Sequence, residues 1–284
     1  MFFFPEIGRA GRLGNQLFQV AAIKALALRN KSEAYLPDDI DTRVTHGQSS
    51  LLKYFKHNLP LIDSNECKHL PVFHEKFNDF GQVDSRIFDI SGSTALIGQF
   101  ESESYFIDFK EEIKEIFQCT DTIESFSTEY LNTLKKEKQC AKVVGIHFRL
   151  GDADPVRNSI GWYIDYIFEV KRTFFSDDDY HFIFFTGGTR QQGNDNSEDI
   201  QYLKNYFSSD LISFCQVNDT IKEFCIMKHC DHLILNWRST LSWWAGYLNK
   251  NIDKKIVVPK QIPNIVYNSE CLWSKDFIVY DKPI

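Results

Sequence analysis

Three short stretches of the 284-residue chain carry residue types suited to binding and polarising an anion. The first, Gly11-Arg12-Leu13-Gly14-Asn15-Gln16, lies between an apolar opening run and a helical pattern. Small residues at such a turn let backbone N–H groups and the positive end of a helix approach a phosphate. The glycines at 8, 11 and 14 are spaced G-x-x-G-x-x-G, not G-x-G-x-x-G, which removes support for a dinucleotide-dependent oxidoreductase. The second, His147-Phe148-Arg149-Leu150-Gly151-Asp152, ends a buried-strand pattern. Arg149 is a fixed cation whose planar fork fits phosphate oxygens two at a time. When a diphosphate departs it gains charge as its bond breaks, so such an arginine favours the transition state over the ground state. Asp152 can orient that arginine or take a proton. The third, Ser239-Thr240-Leu241-Ser242, opens a helix shortly after Asn236 and gathers hydroxyls and N–H groups at its N-terminus. Trp243 and Trp244 follow it and are assigned to packing.

The elements that must position these stretches read as alternating strands and helices, the pattern of an α/β protein. Phe2-Phe3-Phe4 is a strand, and Leu17, Phe18, Ala21, Ala22, Ala25 and Leu28 give the next helix an apolar face. Residues 36–95 are irregular and rich in Asp, Ser, Pro and Gly, and acceptor loops are expected there. A strand over 95–100 precedes a helix carried by Phe106, Phe109, Ile113, Ile116 and Phe117, and a second helix runs from Ile123 to Leu134. Val143-Val144-Gly145-Ile146 restarts the alternation after a polar stretch, which divides the chain into lobes at 1–140 and 141–284. Further strands at 182–185, 233–235, 256–258 and 277–280, with helices near 161–175, 197–207, 219–230 and 239–250, make the second lobe doubly wound. The last segment is expected to pack back on the first lobe.

Composition narrows the function classes. A formal net charge of −7 argues against a general nucleic-acid binder, which needs excess Lys and Arg. Met1 to Phe4 before Pro5 and Glu6 is too short for a signal peptide or a membrane span. Seven cysteines without a C-x-x-C pair fit reduced thiols, so a cytoplasmic protein is expected. Cys225, His229 and Cys230 lie in an apolar helix, where a structural role outweighs metal binding.

Taken in order, the three stretches resemble the α-1,2-fucosyltransferase family, with its G-x-L-G-N-Q-x-F-Q opening, H-x-R-R-G-D motif and late N-S-S/T-x-S-W-W motif. Gly98-Gln99-Phe100-Glu101 with Tyr105-Phe106 is similar to the family's G-Y-F-Q…Y-F segment, and Val257-Val258-Pro259-Lys260 to its closing strand. The G-x-x-G-N-Q and H-x-R elements also resemble those of protein O-fucosyltransferases. The resemblance implies the GT-B architecture, two Rossmann-like lobes facing a cleft, with GDP-fucose held mainly by the second lobe and a glycan acceptor by the first. It implies an inverting glycosyltransferase with no metal and no other cofactor. The resemblance carries Asn15 and Arg149 over as donor-phosphate contacts; by residue type and position Arg149, Asp152 and His147 are the catalytic candidates, and Gly14, Asn236, Ser239, Thr240 and Ser242 are expected among the donor contacts.

Three positions depart from the family pattern. Leu150 replaces a second arginine, Thr186-Gly187-Gly188 stands where acidic residues are usual, and Trp237-Arg238 adds a residue after Asn236. These leave open a transferase using another nucleotide sugar, or a glycan-binding protein without turnover. The general base also stays open among Asp152, Asp154, His147 and Glu101.

Overall fold

Phe2 and Phe3 form β1 (Phe2–Phe3), the central strand of a parallel sheet. The computed structural model describes all residues except 10, 46–47, 50–51, 77–81, 149–159, 177–178, 187–196, 208–210, 236–238, 261–271 and 282–284. After β1 the chain turns into α1 (Leu13–Arg29), where Leu17, Phe18, Ala21, Ala22 and Ala25 are buried as their spacing predicts. Val20, Ile23, Leu26 and Ala27 are buried too, so α1 is enclosed on more than one face. The stretch expected to be irregular contributes β2 (Ala34–Pro37), β3 (Val44–Thr45), β4 (Gln48–Ser49), β5 (Leu61–Ile62) and β6 (Val72–His74). With β7 (Thr94–Ile97) they complete a five-stranded parallel sheet in the order β5-β2-β1-β7-β6, while β3 and β4 form a separate antiparallel pair. Two 3-10 turns, Glu103–Tyr105 and Ile107–Phe109, lead into α2 (Lys110–Ile116), so the predicted helix over 106–117 is α-helical only in its second half.

The second unit opens with α3 (Asp121–Lys138) and continues through β8 (Lys142–His147), α4 (Ile160–Phe174), β9 (Tyr180–Phe185), α5 (Ser197–Tyr206) and β10 (Ile212–Phe214). It then runs through α6 (Thr220–His229), β11 (His232–Ile234), α7 (Thr240–Tyr247), β12 (Ile256–Pro259) and β13 (Ile278–Tyr280). Its six strands are parallel and ordered β10-β9-β8-β11-β12-β13. Counted within the unit this is 3-2-1-4-5-6, the doubly wound order of nucleotide-binding sheets. Strands covered on both faces must be apolar throughout. Val143, Val144 and Ile146 in β8, Phe182 to Phe185 in β9 and Ile256 to Val258 in β12 meet that demand and are buried.

Contacts divide the chain between Thr120 and Asp121, ahead of the boundary drawn at 140. The cause is α3, whose buried Ile123, Leu131 and Leu134 serve the second unit, where it packs against α6 and β8. Periodicity shows that a helix has an apolar face but not which sheet it covers. Of the final segment, residues 272–274 group with the first unit, whereas β13 is an edge strand of the second sheet.

The α3–α6 contact carries a charge cluster, in which Lys228 and His229 both bond the Glu124 carboxylate. Burial alone would raise the Glu124 carboxyl, but these two donors hold it down at about 2. Burial likewise lowers His229, yet bonds to Cys225 and Glu124 lift it to about 9. A raised histidine stabilises fully below its ordinary value of 6.5, and that contribution is lost as pH rises through about 9. Glu124 contributes above its ordinary 4.5 and loses its effect as pH falls through about 2. Thermal melts between pH 6.5 and 9.5 should therefore show an alkaline decline in Tm that His229→Gln reduces. Parallel declines in the two proteins would contradict this linkage.

None of the six described cysteines is in a disulfide, and Cys225 and Cys230 are fully buried. Among the described residues no helix is long and apolar enough to cross a membrane.

Candidate functional site

Parallel α/β sheets gather ligands beyond the carboxyl ends of the two strands that flank a topological switch point. In the first unit β1 and β7 are hydrogen-bonded parallel neighbours, so their carboxyl ends lie side by side. The chain leaving β1 makes the Gly-rich turn, where Gly11 has φ +80 and an added Cβ would lie 2.4 Å from the Asn15 Cβ. Gly14 and Asn15 fall in the first turn of α1, and Asn15 Oδ1 accepts the Arg12 N–H at 3.3 Å. The chain leaving β7 is Gly98-Gln99-Phe100-Glu101. Asn15 Nδ2 donates to Gln99 Oε1 at 3.2 Å and to Glu101 Oε1 at 2.5 Å. One turn later Gln19 Nε2 donates to the Gly98 carbonyl at 3.2 Å. Two motifs more than eighty residues apart in sequence thus form one polar cluster, with Asn15 and Glu101 half-buried at its centre.

A buried guanidinium anchors the base of the same turn. Arg43 donates to the Pro5 carbonyl at 2.5 Å, the Ile7 carbonyl at 3.2 Å, Asp39 Oδ1 at 2.7 Å and Ser64 Oγ at 3.1 Å. These bonds fix the backbone that delivers Gly11 and Asn15 to the helix end.

In the second unit the switch point lies between β8 and β11. His147 ends β8 with 2% of its surface exposed, and the Tyr163 hydroxyl donates to its carbonyl at 2.7 Å. That burial makes it a packing residue of the strand end more than an accessible proton acceptor. Arg149 and Asp152, which follow it in sequence, lie outside the described residues, as do Asp154, Gly187, Gly188 and Asn236. Beyond β11, Ser239 is the N-cap of α7, its Oγ accepting the Ser242 N–H at 3.3 Å. Ser242 Oγ in turn donates to the Ser239 carbonyl at 3.1 Å. Both hydroxyls are buried and used within the cap, leaving Thr240 as the half-exposed hydroxyl of the three. Trp243 and Trp244 are buried, as assigned.

A protein-family description, Glycosyl transferase family 11, matches residues 195–277, which include the Asn236–Trp244 stretch. An alpha-1,2-colitosyltransferase of Escherichia coli is 27% identical over 278 residues, covering 88% of each chain. Galactoside alpha-(1,2)-fucosyltransferase 2 of Pongo pygmaeus is 25% identical over 252 residues, covering 85% of this chain and 68% of its own. The chain is a glycosyltransferase similar to these α-1,2-linking enzymes over most of its length. Solved structures agree on the fold. The NodZ alpha-1,6-fucosyltransferase soaked with GDP-fucose superposes with TM-score 0.52 at 12% identity, over 87% of this chain and 92% of that one. POFUT1 in its apo form gives 0.50 at 13% identity, over 90% and 96%. The transferase is thus an α/β protein of the GT-B class.

Asn15, Gln99 and Glu101 lie in motifs visible in the sequence, whereas Glu75 and Arg43 join the transferase's first-unit cluster only in the fold. Glu75 directly follows β6, at a carboxyl strand end where an acid is a recognisable signal. The strand itself is only three residues long, and so that signal had no frame.

Proposed function

We propose that this transferase moves L-fucose from GDP-fucose to a glycan hydroxyl, inverting the anomeric centre without a metal ion. The observation that carries the reading is the second sheet, where 3-2-1-4-5-6 order sets the arginine motif after β8 and the α7 cap after β11, on the two strands flanking the switch point. The relatives' names support fucose as the sugar. In this reading the second unit binds the donor nucleotide and its Arg149 stabilises the departing diphosphate oxygens, while in the first unit the N–H groups near Asn15 are suited to a phosphate. The acceptor hydroxyl attacks the anomeric carbon in line, its proton going to a carboxylate, with Asp152, Asp154 and Glu101 as the candidates beside the enclosed His147. Asn236 and Thr240 complete the donor contacts.

A second sugar is favoured by one observation. The relative covering 88% of each chain is a colitosyltransferase, and Leu150 and Thr186-Gly187-Gly188 depart from the fucosyltransferase pattern in the donor unit. A thermal-shift panel of GDP-, UDP-, CDP- and dTDP-sugars separates the nucleotides, because a ligand that binds only the folded state raises Tm with concentration. GDP-sugars should shift the transition and the others should not. A shift by UDP-sugars alone would overturn the donor assignment.

Metal independence has its own test. Charge neutralisation is assigned to Arg149 and helix ends, so turnover should persist in excess EDTA. Loss of turnover in EDTA, restored by Mn²⁺ or Mg²⁺, would contradict the proposal.

A further inference from the structure

We propose that Glu75 is a positioning residue of the transferase: its buried carboxylate clamps the turn after β7 so that Gln99 and Glu101 grip Asn15. This rests on the reading of Asn15 as a donor-phosphate contact. The carboxylate is 8% exposed and makes three bonds from its two oxygens. Oε2 accepts the Gln99 N–H at 2.7 Å and the Phe100 N–H at 2.9 Å, and Oε1 accepts the Tyr105 hydroxyl at 2.6 Å. The Tyr105 oxygen accepts the Asp84 N–H at 2.8 Å, which fixes the direction of its proton toward Glu75. A carboxylate taking two successive backbone N–H groups dictates a tight turn. Two features show how tightly it is held. Phe100 has φ +54, a left-handed conformation that a bulky side chain adopts only when its surroundings impose it. At Gly98 an added Cβ would lie 2.5 Å from the Glu75 Cβ and 2.6 Å from its Oε2, so only glycine lets the carboxylate approach.

The turn so made is the one whose side chains reach α1. Gln99 and Glu101 both accept from Asn15 Nδ2, and the Gly98 carbonyl accepts from Gln19. Without Glu75 two buried N–H groups lose their acceptor, and the strained Phe100 conformation loses what imposes it. Asn15 then keeps its place on α1 but loses its orientation. Glu75 therefore acts through Asn15 and touches no reacting atom.

The test is a double-mutant cycle on donor turnover with the whole chain. Glu75→Ala should lower kcat at least tenfold with KM for the donor changed much less, and Asn15→Ala should lower it further. The double variant should match Asn15→Ala alone, because a residue acting only through Asn15 has nothing left to position. Glu75→Gln keeps an acceptor oxygen for the two N–H groups and should recover most of the activity. Should Glu75→Ala fail to fold, Tyr105→Phe removes only the orienting hydroxyl, and its cycle with Asn15→Ala should show the same non-additivity. Independent, multiplying losses would overturn the proposal, as would a folded Glu75→Ala with near wild-type kcat. A crystal structure of Glu75→Gln and of the alanine or phenylalanine variant decides the geometry whether or not GDP-fucose is the donor. A turn still bonded to Asn15 in the damaged variant overturns the inference, whereas failure of wild-type turnover overturns only the reading of the donor.

Discussion

Arg149→Ala is expected to lower kcat and kcat/KM together by a factor on the order of 10² to 10³, the usual cost of removing a donor aimed at developing charge. The argument begins with β8, the first strand of the second sheet and one flank of its switch point. Its sequence continues directly into the arginine motif, beyond a strand end made rigid by buried Val143, Val144 and Ile146. With Leu150 beside it, Arg149 is the one arginine between His147 and Asp152. Arg149→Lys should recover little, since an ammonium cannot bind two phosphate oxygens through a planar fork. Equal falls in both kinetic parameters are the signature of an interaction made in the transition state. A folded alanine variant within a few-fold of wild type would remove Arg149 from the chemistry.

The second large effect is expected at Asn15. Asn15→Ala deletes the amide that joins Gln99 and Glu101 to the end of α1, and activity should fall by about 10². Asn15→Asp is the sharper probe. It keeps the Oδ1 acceptor for the Arg12 N–H but replaces the donor to Glu101 with a second carboxylate oxygen. Two carboxylates at hydrogen-bond distance cannot both ionise freely, so one takes up a proton near neutral pH. The aspartate also brings negative charge toward the proposed diphosphate. Its activity should therefore be no better than that of Asn15→Ala at pH 8 and should recover in part as pH falls toward 6. A variant with wild-type activity and an unchanged pH profile would show that the amide plays no part.

The sequence made the long, periodic elements legible because burial forces a pattern on them. α1 and the apolar strands β8, β9 and β12 stand where their residues predict. Short sheet-edge strands carry no such pattern. Leu61 in β5 is 51% exposed and Val72 in β6 is 49% exposed, and two or three residues cannot display an alternation. In the site, motif spacing identified the two strand-end regions but not how their side chains are used. Ser239 and Ser242 look identical to phosphate-binding hydroxyls in sequence, yet they close the α7 cap on each other. His147 looks like an available base and is enclosed. Glu75 finds its partners some twenty-five residues downstream, through a turn that only the folded sheet creates.

The reading of this transferase as an inverting fucosyltransferase is tested most directly by incubating the purified chain with GDP-β-L-fucose and a galactose-ended acceptor, following GDP release and the anomeric NMR signals of the product. The account predicts acceptor-dependent GDP release with formation of one α-fucoside. A β-linked product, turnover confined to a different nucleotide sugar, or glycan binding with no turnover of any donor would contradict it.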